Sequence, residues 1–573
     1  MSSEIVNQMT FELKVLGPAV ASFFASREHP GLAANLSEIC ERLVLKTATG
    51  ISHLVPEEYD DLCIDPLQFS AVGTPQDDLP LVLTERGNLY FQRFYEYENT
   101  VAQAISERVK KPLHVNEPEI LEFFDRYVRQ SLDPSQSLAV GVALQKQFCV
   151  LTGGPGAGKT RTIAFILSCM LERDVGLRVA LCAPTGKAAH RMHRSLIDAM
   201  EQSLLPLSKQ TAVINRSSTL TIHRLLGPVH GSVDFKHHAE NPIPYDLVLV
   251  DEASMVDLSL MARLCEALPA DSKLILVGDP HQLSPVQGGA VFSGLVKGLI
   301  ANEFSSEQLA DLGHFSNSAK LSKQPSSLSG CSVSLSGNHR REQSSGGDAI
   351  GDLCLAIAEG RGEDALGILA RGDPSLQFIE SAKDDSIDSL IRSGFAGLQA
   401  SRDPSDALDA LDDFKILCAH NQGIHGVDHW NDRVKSILGD LENSPMPLVI
   451  GVNDYSVGLF NGDDGVMLNN RCYFAGLDEP RLIPRSRLPV HRTGYASTIH
   501  KSQGSEFKNI LIVLPSPDDQ LLTRELLYVA VSRAQKGVIL VGDPKSLLNA
   551  VAKKEAIHSG IFEMINEPDC KNI

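Results

Sequence analysis

The chain has 573 residues, too many for one hydrophobic core and enough for roughly three or four domains. Its composition, 43% hydrophobic and 21% charged, is that of an ordinary soluble globular protein and excludes a disordered one. A net charge of −19 excludes nucleic-acid binding through a broad basic face, while leaving room for a narrow channel that holds a strand by local contacts.

Residues 1 to 115 carry mixed helical and loop signals and no motif tied to chemistry. The apolar stretch Val15 to Ala25 follows Glu4 and Glu12 rather than a basic start, so it reads as an amphipathic helix and not a signal peptide. No run of about 18 apolar residues occurs, so no membrane span is expected. The eleven cysteines, from Cys40 to Cys570, form no C-x-x-C pair, which suggests reduced, buried thiols in a cytoplasmic protein.

From Phe148 onward, short apolar runs end in functional turns: "FCVLTGGPGAGKT", "RVALCAPTGKAAHRM", "YDLVLVDEAS" and "SKLILVGDPHQL". This alternation predicts an α/β domain, a parallel sheet covered by helices, over 116–335, with ligands at the carboxyl ends of the strands. The first turn contains G-x-x-x-x-G-K-[ST], from Gly153 to Thr160. Glycines there let backbone N–H groups close around phosphates at a helix N-terminus, Lys159 reaches the β and γ phosphates, and Thr160 ligates Mg²⁺. The nucleotide contact comprises Gly153, Gly154, Pro155, Gly156, Ala157, Gly158, Lys159, Thr160 and Arg161. Asp251 and Glu252 close the run Leu247–Val250, where one carboxylate can hold the Mg²⁺ shell and the other orient a water.

The loop 227–244, "GPVHGSVDFKHHAENPIP", holds three histidines that, without a cysteine, read as solvated rather than metal-binding. Ser and Gly dominate 305–347, which reads as a mobile loop or linker. "FKILCAH", "NILIVLPS" and "KGVILVGDP" then predict a second α/β domain over 336–440 and 491–573. It is interrupted at 441–490 by a small antiparallel β-module with Asn-Asp and Asn-Gly turns.

The order of "GGPGAGKT", "APTGKAA", "TIHRLLG", "DEASM", "GDPHQL", "NHRR", "HKSQGSEF" and "YVAVSRA" resembles that of superfamily 1 helicases. With "STLTIHRLLG", "NDYSVGLFNGD" and "TRELLYVAVSRA", the chain is most similar to the RecD family, strongly over residues 120 to 550. The resemblance implies two RecA-like motor domains, the first with a small hairpin insertion at 227–244, a mainly helical N-terminal domain that docks onto partners, and an SH3-like β-module. It implies ATP as the nucleotide and 5′-to-3′ movement on single-stranded DNA at duplex ends, beside RecB-like and RecC-like subunits in a heterotrimer that repairs double-strand breaks. A stand-alone RecD-like helicase and a non-motor ATP switch that controls assembly are the alternatives.

Residue by residue, Gln136 matches the glutamine that reads the adenine edge, Gln282 the residue coupling the γ-phosphate to DNA, and Glu506 a ribose contact. Arg340 and Arg533 match arginines supplied from across the cleft to the transferring phosphoryl group, where a guanidinium fork stabilises spread charge. The family reads Tyr-Arg-aromatic where this chain reads His339-Arg340-Arg341, which leaves Arg340 and Arg341 as alternatives. The resemblance places single-stranded DNA against Pro184, Thr185 and Lys187, Thr221 and His223, and Thr498, His500 and Lys501. Small hydroxyls and a few bases suit a strand that must slide.

Overall fold

The computed structural model describes residues 18–566 except 30, 49, 63–64, 112–116, 230, 233, 286–288, 316–317, 323–327, 337–347, 382–384, 440–443, 453, 455, 477–478 and 556–558. The described residues fall into two compact units. One draws on 8–280, 284–339 and 556–573, the other on 281–283 and 340–555.

The first unit is built on a six-stranded sheet, parallel throughout, in the order Ser332–Ser334, Phe148–Thr152, Lys273–Gly278, Leu247–Val250, Val179–Ala183, Ser217–Thr221. Its central strands read as continuous apolar runs because both faces are covered. Cys149, Leu151, Leu181, Leu249 and Ile275 enter one core, while Phe148, Val150, Cys182, Val250 and Leu276 enter the other. Helices Pro134–Gln145 and Lys159–Arg173 fill the first face. The second face takes Leu258–Ala267, Val291–Gly298, Gln92–Val109 and the last described helix, Ile561–Asn566.

The N-terminal region therefore contributes a helix to the core of the first unit. Arg108, nearly buried, ties that helix to the sheet by donating to the carbonyls of Ser272 (3.0 Å) and Pro269 (2.7 Å). The rest of the region joins helix Ala33–Ala48 to a four-stranded sheet of two- and three-residue strands, in the order His53–Leu54, Leu89–Phe91, Leu81–Leu83, Val72–Gly73. Strands this short leave no alternation for the sequence to display. Residues 18–25 are helical, as the apolar stretch predicts.

The Ser-rich stretch is where the sequence expectation needs correcting. Its described residues include the helix Ser306–Leu312, started by a reciprocal cap in which Ser305 Oγ accepts from Gln308 N and Gln308 Oε1 from Ser305 N. They also include Ser332–Ser334, the edge strand beside the phosphate-loop strand, with Val333 fully buried. Serine serves here as a cap and an edge-strand residue rather than as linker. The 227–244 insertion carries two antiparallel bridges, Pro228 with Phe235 and His238 with Asn241.

The second unit repeats the plan with five parallel strands: Leu376–Ile379, Ala534–Val541, Phe507–Val513, Phe414–Cys418, Ala496–Thr498. Between helix Val427–Leu438 and strand Ala496–Thr498 the chain makes an antiparallel five-stranded sheet running from Met446–Ile450 to His491–Thr493. Its tightest turn is Asn469-Asn470, with φ of 50° and 59° between the paired Leu468 and Arg471, the left-handed pair that matches strand twist. Lys415, buried on the parallel sheet, pins this module by donating to Asp464 Oδ1 (3.1 Å) and the Gly494 carbonyl (2.7 Å).

Candidate active site

Strand Phe148–Thr152 delivers the chain to the carboxyl edge of the first sheet, where the loop from Gly153 turns into helix Lys159–Arg173. Gly156 (φ 75°) and Gly158 (φ 76°) are left-handed, a conformation that only glycine adopts readily. No side chain caps the helix start at Gly158, so its first N–H groups face the loop as anion donors. Lys159 Nζ folds over the loop and donates to the carbonyl oxygens of Gly153 (2.6 Å) and Gly154 (3.4 Å).

Two strands along, Leu247–Val250 ends in the acidic pair. Asp251 N donates to Cys182 O (2.8 Å), which fixes the pair to the neighbouring strand. Glu252 N donates to Asp251 Oδ1 (2.9 Å), and Glu252 itself is left-handed at φ 50°, a conformation costing a non-glycine residue about 1 kcal/mol. Strain of this kind gathers at functional turns. Burial and the neighbouring Glu252 charge push the Asp251 carboxyl above the usual carboxylate range, and Lys159 and Arg191 pull it back. Arg191, on helix Gly186–Glu201, is a member of the site that motif reading missed, because only sheet pairing brings that helix beside Asp251.

Among the described residues, no group of three or more His, Cys, Asp or Glu gathers as a metal cage. One hydroxyl, Thr160, and one carboxylate, Asp251, are the donor set that Mg²⁺ needs when phosphate oxygens and water supply the rest. The residues present fit that ion. In the 227–244 hairpin, His237 Nδ1 faces the carbonyls of Asn241 and Pro242, and His230 lies outside the described residues.

Gln136 is fully buried beneath the loop. Its Nε2 donates to Ala157 O (3.2 Å), and its Oε1 accepts from Asp133 N (3.2 Å). On the next strand, Asp279 is fully buried after Gly278 and Gln282 almost so. The segment His281–Leu283 belongs to the second unit, with Leu283 in the core of that unit.

Sheet order then separates two sets of residues along one edge. The phosphate loop, Asp279 and Asp251 follow three adjacent strands. Pro184 and Thr185 follow the next strand, and Thr221 ends the last. Thr185 Oγ1 accepts from Ala188 N and Thr221 Oγ1 from Arg224 N, so both hydroxyls cap helices whose first turns carry Lys187 and His223. The His223 ring lies 5.9 Å from that of Phe235, and burial lowers its pKa.

In the second unit the two sets lie at opposite edges of the sheet. Thr498, His500 and Lys501 follow the carboxyl end of Ala496–Thr498. Lys501 Nζ donates to Asn461 Oδ1 of the β-module (3.2 Å), and burial beside Arg492 lowers its pKa to about 8. Burial lowers the His500 ring to about 3, and its Nδ1 has no hydrogen-bond partner. Glu506 and Arg533 stand instead at the amino ends of Phe507–Val513 and Ala534–Val541. The Arg533 guanidinium, nearly buried, donates to Val529 O (3.3 Å), Ser505 O (3.1 Å) and Ser532 Oγ (3.2 Å), while Glu506 accepts from Gln535 Nε2 (3.0 Å). Arg340 and Arg341 lie outside the described residues.

Comparison with known proteins agrees with this plan. An AAA domain family model matches residues 136–288, and a UvrD-like helicase C-terminal domain matches 493–541. The RecBCD enzyme subunit RecD of Mycolicibacterium smegmatis is 34% identical over 84% of this chain and 83% of its own length. RecD of Mycobacterium tuberculosis is 32% identical over 94% of both chains. The ATP-dependent RecD2 DNA helicase of Deinococcus radiodurans is 26% identical over 86% of this chain and 61% of its own length. The solved structure of Bacteroides Pif1 bound to single-stranded DNA aligns at a TM-score of 0.36 with 17% identity, covering 79% of this chain and 95% of Pif1, too loosely to bear on any residue. By sequence identity across nearly its whole length, this chain belongs to the RecD family of superfamily 1 DNA helicases.

Proposed function

We propose that the chain is an ATP-driven motor that moves 5′ to 3′ on single-stranded DNA as the RecD subunit of a RecBCD-type heterotrimer, in the cytoplasm. The observation that carries the motor reading is the shared edge of the first sheet. It sets the phosphate loop and acidic pair on the same edge as Thr185 and Thr221, the residues that the reading assigns to DNA. In this reading, Lys159 exchanges the Gly153 and Gly154 carbonyls for phosphate oxygens when ATP arrives. Glu252 orients the attacking water and takes its proton as the bond to the γ-phosphorus forms and the bond to the β–γ bridging oxygen breaks. Thr160 and Asp251 would hold Mg²⁺, which supplies charge neutralisation on the phosphates. Arg533 is the guanidinium that stabilises the spreading phosphoryl charge. The antiparallel module at 446–493 serves as the SH3-like wall of the DNA path, held there by Lys415 and Asn461.

Unwinding of duplexes with a 5′ or a 3′ overhang tests the reading. The expected result is unwinding from the 5′ overhang alone, lost in Lys159→Gln. Equal unwinding from both ends overturns the polarity, and an unimpaired variant overturns the motor. Co-elution with RecB and RecC tests the subunit assignment, and a fully active monomer indifferent to both overturns it.

A further inference from the structure

The chain twice leaves the first unit and twice returns to it, at 284 and at 556. Both returning segments meet the same short stretch of the N-terminal region, Gly50–Ser52. After the first return, Gly289 N donates to Gly50 O (2.9 Å). After the second, Ser559 Oγ (2.9 Å) and Gly560 N (3.0 Å) donate to the buried Glu98 side chain, which also accepts from Ser52 Oγ (2.8 Å). The Gly50 contact needs glycine on both sides. Gly50 and Gly289 have φ of 89° and 90°, and a Cβ on Gly289 would lie 2.5 Å from Leu258 Cβ. A Cβ on Gly50 would lie 3.2 Å from Pro285 O, so Gly50 packs against Pro285 as well as Gly289. Gly50 also ends helix Ala33–Ala48, since its N–H donates to Thr47 O (3.3 Å) and Ile51 N donates to Lys46 O (3.0 Å). A shift of that helix moves Gly50 O with it.

We infer that Gly50 is a positioning residue for Gln282, through which the N-terminal region sets how strongly DNA stimulates ATP hydrolysis. Gln282 lies in the excursion His281–Leu283, which belongs to the second unit. That excursion is footed in the first unit at one end on strand Lys273–Gly278 and at the other on the Gly50 contact. Three residues span at most about 10 Å. A displacement of either footing is therefore passed to Gln282 rather than taken up as slack. The strand is fixed by its neighbours in the sheet, which leaves Gly50 as the adjustable footing.

This rests on the motor reading above and on the resemblance that makes Gln282 the residue coupling the γ-phosphate to DNA. Steady-state ATPase of the full chain, with and without single-stranded oligothymidylate, tests it in wild type, Gly50→Ala, Ser52→Ala and Gln282→Ala. Gly50→Ala forces a Cβ toward Pro285 O, whereas Ser52→Ala frees the stretch from Glu98 and leaves the backbone alone. In Gly50→Ala the DNA-stimulated kcat is expected to fall about fivefold, with the DNA-free rate and the KM for ATP kept within about twofold. Ser52→Ala gives the same pattern and serves if the Gly50 variant does not fold. An equal fall of the stimulated and DNA-free rates, as loss of folded protein gives, overturns the inference. Full stimulation in both the Gly50 and Ser52 variants overturns it too. Full stimulation in Gln282→Ala defeats the coupling role of Gln282, and a wild-type ATPase indifferent to DNA defeats the motor reading, each distinct from failure at Gly50.

Discussion

Glu98 shows how one side chain can tie distant parts of the chain together. Fully buried, it accepts from Ser52 Oγ (2.8 Å), Ser559 Oγ (2.9 Å), Tyr90 OH (3.0 Å) and Gly560 N (3.0 Å), joining the N-terminal region to the C-terminal segment. His53, stacked on Tyr90, and Glu563 complete its polar surroundings. Burial outweighs these donors and raises the carboxyl from 4.5 to about 6. A carboxyl that binds its proton more tightly when folded stabilises the fold where it is protonated. That contribution is fully present below pH 4.5 and is lost as pH rises through 6, a change of about 2 kcal/mol. Denaturation of wild type and Glu98→Gln across this window checks it: their stability difference should change by about that amount, and a constant difference refutes the assignment. The residues of the proposed nucleotide site, by contrast, are expected from the sequence one at a time. Lys159, Thr160, Asp251 and Glu252 announce themselves because phosphate and metal chemistry demand those groups at the ends of apolar runs. Arg191 was not legible, since nothing local to helix Gly186–Glu201 indicates a carboxylate beside it.

At the scale of elements, helix Val291–Gly298 receives the C-terminal segment through two small residues. A Cβ on Gly294 would lie 2.7 Å from the Ser559 Cβ, and one on Gly298 would run into the Phe562 ring. Gly298→Leu should undock helix Ile561–Asn566 and cost about 1–3 kcal/mol, seen as a lower urea midpoint and faster amide exchange in that helix. Native-like protection in the variant would show that the notch is not needed. Motor strands were readable from sequence because burial on both faces makes them uninterrupted apolar runs. Ser332–Ser334 escaped that test, since as an edge strand flanked by serines it looks like linker. The N-terminal sheet escaped it through strands too short to carry a period.

For the whole molecule, the net charge of −19 and the few basic residues of the proposed DNA contact set the expected salt response. Each phosphate neutralised on single-stranded DNA contributes about −0.7 to the slope of log affinity against log salt. With Lys187 and Lys501 as the lysines of the path, the slope should be shallow, and Lys501→Ala should reduce its magnitude by about 0.7. A steep slope, or none lost in the variant, would place the DNA elsewhere.

The sequence by itself determined the chemical inventory and the strand–turn–helix units that carry it, because glycine conformations, helix starts and apolar runs are set by neighbours within a few residues. It also determined the order of motifs, and through them the family. Only the tertiary structure decided which strands are adjacent, and hence that the phosphate loop and Thr185 share an edge while Arg533 and Thr498 occupy opposite ones. It also decided that Gln136 donates to Ala157 O, and that the last described helix packs into the core of the first unit. Each of these depends on which surfaces of separate elements bury one another, and that choice is made by packing rather than by local preference.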